Sequence, residues 1–332
     1  MSKLVTIYGG SGFVGRYIAR RAAKAGCRVR VAVRRADEAL FVRTYGVVGQ
    51  VEPVQCNVRD DASVGAASAG SEAVVNCVGI LAPVGNNTFD AVQAEGAARI
   101  ARIAAENGVA RMVHISAIGA DADSDSTYAQ TKAEGEAGVL EHMPDAMILR
   151  PSIVFGQEDQ FFNRFAAMAR LGPMLPIVGA RTRFQPVYVD DVAAAAMTGV
   201  EGTAPSGIYE LGGPDIDTFR ELMLDMLSEI RRRRIVVNVP FWAARTMGWG
   251  FDLMTRLSLG LVTGPLTLDQ VRNLANDNVV GEDAKGFTDL GITPTAMEAI
   301  LPDYMWPYRP DGQYNAVMAS AENLKGNREG QA

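Results

Sequence analysis

The sequence predicts an α/β fold: a doubly wound parallel sheet with a smaller, interleaved α/β C-terminal domain. Three observations lead there. Short apolar runs alternate with helix-periodic stretches over the first 150 residues, a glycine-rich turn joins the first run to the first helical stretch, and the alternation stops after Pro151. The 332 residues are 48% hydrophobic and 21% charged, enough apolar side chain for a sizeable core.

Strands are expected at Leu4–Tyr8, Arg28–Val33, Val51–Gln55, Ala73–Val78, Arg111–Ser116 and Ala146–Arg150, each too short and too continuously apolar for a helix. Helices are expected between them at Phe13–Ala25, Ala36–Thr44, Asp90–Asn107 and Tyr128–His142. Gly26 and Gly108 follow two of these, where a residue with positive φ ends a helix. Pro173, Pro176 and Pro186 mark a loop-rich region expected over the carboxyl edge of the sheet, before Asp190 and Asp191 cap a short alanine-rich helix. The chain from about Phe184 to Leu211 is expected to return to the first domain. The division is therefore 1–150 with 184–211, against 151–183 with 212–310, and the polar residues 311–332 read as a flexible tail or partner-binding arm.

A net charge of −6 leaves no positive field for a phosphate backbone, which excludes nucleic acid as a partner. Cys27, Cys56 and Cys77 lie far apart and His114 and His142 are the two histidines, so no metal-ligand spacing exists. Strand residues begin directly after Lys3, leaving no room for a signal peptide. Trp242 to Val262 is the one membrane-like stretch, and Arg245, Asp252 and Arg256 interrupt it, so no transmembrane helix is expected.

The first strand runs into Gly9-Gly10-Ser11-Gly12-Phe13-Val14-Gly15. Glycines at 9, 12 and 15 let the backbone bend sharply, approach a pyrophosphate closely and aim helix N–H groups at it, the arrangement of a Rossmann-like dinucleotide site. Phe13 and Val14 open the helix beneath that phosphate. After the second strand stand Arg34 and Arg35 instead of an acidic ribose ligand. Guanidinium groups there suit a 2′-phosphate, so the cofactor expected is NADP(H), with NADPH preferred over NADH. Asn57 and Val58, then Cys77, Val78 and Gly79, follow the third and fourth strands at the same edge; Asn57 with Asp60 would flank the adenine, and Gly79 leaves room beside a ribose.

Ser116 closes the fifth strand, and Tyr128 and Lys132 stand at i and i+4 on one face of the next helix. An ammonium beside the phenol would lower its pKa so that it exchanges a proton as hydride moves, with Ser116 bonding a substrate carbonyl. Lys132 would equally hold the nicotinamide ribose with no chemistry at all. Pro151 and Ile153, after the sixth strand, would meet the nicotinamide carboxamide through backbone. Asp121, Asp123 and Asp125 form an acidic loop to which the sequence assigns no role beyond solvation.

At these residues the chain resembles the extended and atypical short-chain dehydrogenase/reductase family. More narrowly, Phe155 to Phe161, Arg183 to Val189, Leu268-Asp269-Gln270 and Asp277 to Val280 are similar to the dehydrogenase-like accessory subunits of respiratory complex I. That resemblance implies a tightly held structural NADPH on the peripheral arm near the quinone-reducing region, other complex I subunits as partners, and a peripheral position on the cytoplasmic side of a bacterial inner membrane. Its rival is an NADP-dependent reductase or epimerase acting on a small carbonyl compound or nucleotide sugar. From Phe241 to Val262 the charges Arg245, Asp252 and Arg256 share a stripe, while Trp242, Met247, Phe251, Met254, Leu257 and Leu261 spread over the remainder. Either the second domain's own core or a membrane-embedded partner or lipid would cover them, the latter with Arg231 to Arg234 facing anionic headgroups.

Overall fold

The computed structural model describes residues 3–257, 267–310 and 312, with no side-chain description from residue 251 to 266. The central strands are β1 (Leu4–Tyr8), β2 (Arg28–Val33), β3 (Val51–Gln55), β4 (Ala73–Asn76), β5 (Arg111–Ile115) and β6 (Met147–Pro151). Then come β7 (Val154–Phe155), β8 (Met174–Val178), β9 (Arg183–Phe184), β10 (Val187–Tyr188), β11 (Gly207–Leu211), β12 (Asp217–Thr218) and β13 (Ile235–Val239). The helices are α1 (Phe13–Lys24), α2 (Asp61–Ser68), α3 (Glu95–Glu106), α4 (Thr127–His142), α5 (Phe162–Leu171), α6 (Val189–Glu201), α7 (Phe219–Glu229), α8 (Phe241–Leu257), α9 (Leu268–Asn273) and α10 (Met297–Met305).

Seven strands form one sheet in the order β11-β6-β5-β4-β1-β2-β3, every neighbouring pair parallel. The order reverses between β1 and β4, which opens a crevice at their carboxyl ends where a ligand fits an open α/β sheet. Both faces are covered, so the strands carry apolar residues on both sides. Val5, Ile7, Val75, Val113 and Leu149 pack with α1 and α6; Tyr8, Val74, Met112 and Ile148 pack with α2 and α3. β11 pairs with β6, and α6 contributes Val192, Ala193, Ala196 and Val200 to the first of these layers. A separate apolar cluster joins Phe155, Phe162, Leu175, Phe184, Phe219, Met226 and Leu301 around α5, α7 and α10.

Several element boundaries differ from expectation for identifiable reasons. β4 stops at Asn76, two residues early, because the Asn76 Oδ1 accepts the Val78 N–H at 3.0 Å and turns the chain. The helix expected at Ala36–Thr44 is a 3-10 helix over Asp37–Tyr45, and Asp90–Ala94 forms a π turn before α3. α2 occupies a stretch where no element is expected; its Ala, Ser and Gly residues carry almost no apolar period, and its signal is Asp60, whose carboxylate caps it at the Ser63 N–H. Asp190 and Asp191 do not cap α6 either. Tyr188 is the N-cap, Asp190 makes a bidentate pair with Arg21, and Asp191 accepts from Thr295. Gly26 and Gly108 have φ of 83° and 71°, as the helix ends require.

α8 exposes Trp242, Met247 and Trp249 and buries Ala244. The side chains of Phe251, Asp252, Met254, Arg256, Leu257 and Leu261, and the tail 313–332, lie outside the described residues. In the basic run, Arg232 donates to the Tyr308 carbonyl and Arg234 to that of Ala169, so two of the four guanidinium groups hold the fold together.

Candidate dinucleotide site

The glycine turn is a built cradle. Gly9 has φ 74° and its N–H donates to the Ala32 carbonyl, tying the turn to the end of β2, while Gly12 N–H donates to the Gly9 carbonyl at 2.9 Å. A Cβ on Gly9 would lie 3.2 Å from the Cys77 carbonyl, so the turn after β1 lies directly on the chain leaving β4. A Cβ on Gly15 would stand 2.4 Å from the Gly9 oxygen and 2.7 Å from the Gly10 Cα. Gly12 is the N-cap of α1 and supplies no side-chain acceptor, so the first amides of this 12-residue helix have the arrangement that suits an anion. Phe13 and Val14 are half-buried behind them, and a Cβ on Gly156 would touch the Phe13 ring at 3.5 Å, bringing the chain after β7 to the same place.

Arg16 is the residue at this turn that sequence reasoning missed. Its guanidinium donates to the Ser11 and Gly12 carbonyls, pairs with Glu158 at 3.1 Å and lies 5.1 Å above the Phe41 ring. The one available signal was its position four residues beyond Gly12, where a helical side chain reaches back over the turn. Arg34 and Arg35 are both exposed, but they differ. Arg35 pairs with Glu38 at 2.8 Å, whereas Arg34 makes no ion pair among the described residues. Asn57 is exposed, with Oδ1 turned to the Arg59 N–H, and Val58 is half-buried against α3. Asp60, expected beside the adenine, is held by the α2 cap.

Across the crevice, the Lys132 Nζ lies 3.6 Å from where a Gly79 Cβ would be and donates to the Ile115 carbonyl at 3.2 Å. Gly9, Cys77, Val78, Gly79 and Lys132 therefore line one continuous path from the glycine turn to α4. Burial pulls the Lys132 ammonium down to about 8, opposed by the Glu136 carboxylate. Burial also pushes the Cys77 thiol up to about 12, which makes it an inert wall. His114 accepts from the Asn76 amide through Nδ1, and burial holds the ring neutral by lowering its pKa to about 3. Pro151 ends β6 with its carbonyl accepting the Ile118 N–H, and the Ile153 carbonyl accepts from Val187, leaving the loop between them fixed on both sides.

Two of the expected chemical roles change here. Ser116 is buried and its Oγ donates to Glu136, which is itself 4% exposed on the same α4 helix and held bidentately by Arg150 at 2.6 and 2.9 Å. A hydroxyl has one proton, so Ser116 has none left for a substrate carbonyl. The Tyr128 phenol is pushed up to about 12, first by burial and then by the Asp269 carboxylate, the opposite of the depression expected from Lys132. Lys132 stands 6.0 Å from the centre of the phenol ring, too far for its charge to outweigh that desolvation. What remains is a buried ammonium beside an unactivated tyrosine.

The depressed Lys132 pKa has a testable sign. The unfolded chain binds a proton at this residue up to about pH 10.4, the folded chain up to about 8. Burial of the cation therefore costs stability fully below pH 8, and the cost is relieved as pH rises from 8 toward 10.4. Urea unfolding of the nucleotide-free protein is expected to show Lys132→Met more stable than wild type at pH 7, with the gap closing across that window. A gap that stays constant from pH 7 to 10 contradicts the assignment.

Comparison with known proteins places this geometry in context. The sequence model described as the NAD dependent epimerase/dehydratase family matches residues 5–212. The mitochondrial NADH dehydrogenase [ubiquinone] 1 alpha subcomplex subunit 9 of Arabidopsis thaliana is 33% identical over 316 residues, spanning 93% of this chain and 79% of the relative. The 40 kDa subunit of NADH-ubiquinone oxidoreductase of Neurospora crassa is 31% identical over 326 residues, 98% of this chain and 84% of the relative. A ceramide reductase of Caulobacter vibrioides is 31% identical over 257 residues, 77% of this chain and 79% of the relative.

Proposed function

The chain belongs to the NAD dependent epimerase/dehydratase family, and on that footing we propose that it is an accessory subunit of respiratory complex I that holds NADPH as a structural group. The observation that carries the structural role is the fate of the Ser116 proton: it is bound to Glu136, and Arg150 fixes that carboxylate. The relatives of plant and fungal complex I, alike over nearly the whole chain, support the partner assignment. In this reading Gly9, Gly12 and Gly15 hold the pyrophosphate, Phe13 and Val14 back it, and Arg34 meets the 2′-phosphate with Arg35 beside it. Asn57 and Val58 flank the adenine. Cys77, Val78 and Gly79 line the central ribose, Tyr128 and Lys132 hold the nicotinamide ribose, and Pro151 and Ile153 border the ring. The subunit lies peripherally, near the quinone-reducing region on the cytoplasmic side of a bacterial inner membrane, with the exposed face of α8 toward the membrane. Among the described residues no helix is long and apolar enough to cross one.

The test is native purification. Gentle detergent solubilisation is expected to bring the chain out with a large NADH-oxidising complex, carrying about one NADPH per chain by mass spectrometry. A monomer confined to the soluble fraction and free of nucleotide contradicts the reading. The Caulobacter relative favours a second one, reduction of a small carbonyl compound. It requires substrate-dependent NADPH consumption that Tyr128→Phe abolishes.

Selectivity for the 2′-phosphate falls on Arg34, which makes no ion pair among the described residues. Arg34→Asp is expected to weaken NADPH at least ~10-fold while leaving NADH nearly unchanged, since a charge-assisted phosphate contact contributes about 1.5–3 kcal/mol. Arg35→Ala, which first has to lose only a Glu38 pair, is expected to change NADPH affinity about threefold or less. Equal effects on both nucleotides would remove the arginines from the site.

A further inference from the structure

The helix that carries Tyr128 and Lys132 is capped from 141 residues away. Asp269, in the first turn of α9, accepts the Thr127 N–H at 2.8 Å and the Tyr128 N–H at 3.3 Å, and the Ser126 hydroxyl at 3.0 Å. Ser126 is the local N-cap of α4 and also accepts the Ala129 N–H. The carboxylate therefore completes the start of a 16-residue helix whose first amides lack intrahelical partners, with charge of the sign that a helix N-terminus favours.

A second contact reinforces this clasp. The Arg272 Nη1 donates to the Asp125 carbonyl at 2.9 Å, and the Gln130 amide, in the first turns of α4, holds the Ser124 carbonyl of the same loop at 2.7 Å. The acidic loop 121–125 thus acquires a role the sequence did not disclose: it is the connection that α9 grips through its backbone. The other side of α9 belongs to α8. Val271 is buried with Ala244 and Val178, and a Cβ on Gly248 would lie 3.0 Å from the Leu268 nitrogen. Thr182 ties the end of α9 down by donating to the Leu274 carbonyl at 2.6 Å. One short element therefore touches the helix holding the candidate ribose ligands on one side and the helix displaying Trp242 and Trp249 on the other.

We propose that Asp269 is a positioning residue that couples dinucleotide retention to the seating of α8 and α9. This rests on the reading above that Tyr128 and Lys132 hold the nucleotide. A nucleotide that binds only the chain with α4 in its capped position favours the seated α9, and a seated α9 favours the nucleotide by the same factor, because coupling between two sites is reciprocal. Dinucleotide loss then loosens α8, and any contact that holds α8 in place tightens the dinucleotide.

Hydrogen–deuterium exchange of the full-length chain, with and without NADPH, tests this in wild type, Asp269→Ala and Arg272→Ala, alongside NADPH affinity from fluorescence titration. In wild type, NADPH is expected to slow exchange both at the glycine turn, residues 9–15, and in residues 241–250 and 268–273. In Asp269→Ala the turn remains protected at saturating NADPH, protection of 241–250 and 268–273 disappears, and affinity falls about tenfold, the loss of one helix cap. Arg272→Ala shows the same pattern more weakly. A cap with a purely structural role lowers stability equally with and without nucleotide and leaves the NADPH-dependent protection of α8 intact, which overturns the proposal. So does wild type whose turn is protected while α8 and α9 exchange unchanged, a result that needs no variant to fold. Absence of protection at the turn itself in wild type refutes the dinucleotide reading and this inference with it.

Discussion

Gly15→Ala is expected to weaken NADPH binding by at least ~100-fold, about 2.7 kcal/mol. The added methyl would stand 2.4 Å from the Gly9 carbonyl oxygen and 2.7 Å from the Gly10 Cα, and both are backbone atoms of the turn itself. No rotamer change relieves such a contact. The turn must open, α1 must move away from β1, or both, and either motion takes the bare amides at the start of α1 away from a phosphate that needs them within hydrogen-bond reach. The chain also loses stability, because Gly15 is buried in the helix–strand contact. Gly26→Ala separates the two effects. Gly26 has φ 83° with open space around the missing Cβ, so alanine there costs about 1 kcal/mol of backbone strain far from the cradle. Titration by NADPH fluorescence is expected to give wild-type affinity for Gly26→Ala and a large loss for Gly15→Ala. Retained affinity in Gly15→Ala would remove the glycine turn from the binding site.

Arg150→Met is expected to destabilise the protein by about 3 kcal/mol, the lower end of the range for breaking a buried ion pair. Glu136 lies between α4 and β6 with its side chain 5% exposed, and Arg150 supplies its bidentate partner at 2.6 Å. Removing the guanidinium strands a carboxylate whose remaining hydrogen-bond donor among the described residues is the Ser116 hydroxyl. The carboxylate then protonates or draws in water, and both cost stability. The double variant Glu136→Gln with Arg150→Met is expected to recover most of the loss, since neither charge remains buried without a partner. Chemical denaturation of the three proteins checks this, and independent, additive losses would mean that the pair is not coupled. Glu136→Gln alone also frees the Ser116 proton in part, so it is the variant in which any dormant carbonyl reduction should first be seen.

The first-half strands were legible because each is a short, continuous apolar run in a sheet covered on both faces, and six of them stand within two residues of expectation at each end. The glycine turn was legible for a similar reason: glycines 9, 12 and 15 are required by backbone contacts among residues a few positions apart, so their spacing carries the geometry. α2 was not legible, because a helix of Asp, Ala, Ser, Val and Gly shows no apolar stripe, and Asp60 read equally as a ligand. Tyr128 and Lys132 were correctly brought to one helix face, but their electrostatics were misjudged. The pKa of a phenol depends on how much water surrounds it and on Asp269, and neither is written within helical reach of Tyr128.

By itself, the sequence determined what is local or periodic: the α/β alternation, the glycine turn, the exposed Arg34 and Arg35 and the i, i+4 placement of Tyr128 and Lys132. Only the tertiary structure decided what each polar group spends its bonds on. Ser116 meets Glu136 across 20 residues, Arg150 meets the same carboxylate across 14, and Asp269 caps Tyr128's helix across 141. A hydrogen bond is short-ranged and directional, so its partner is set by where the folded chain brings atoms within about 3 Å, a distance that residue numbering does not record.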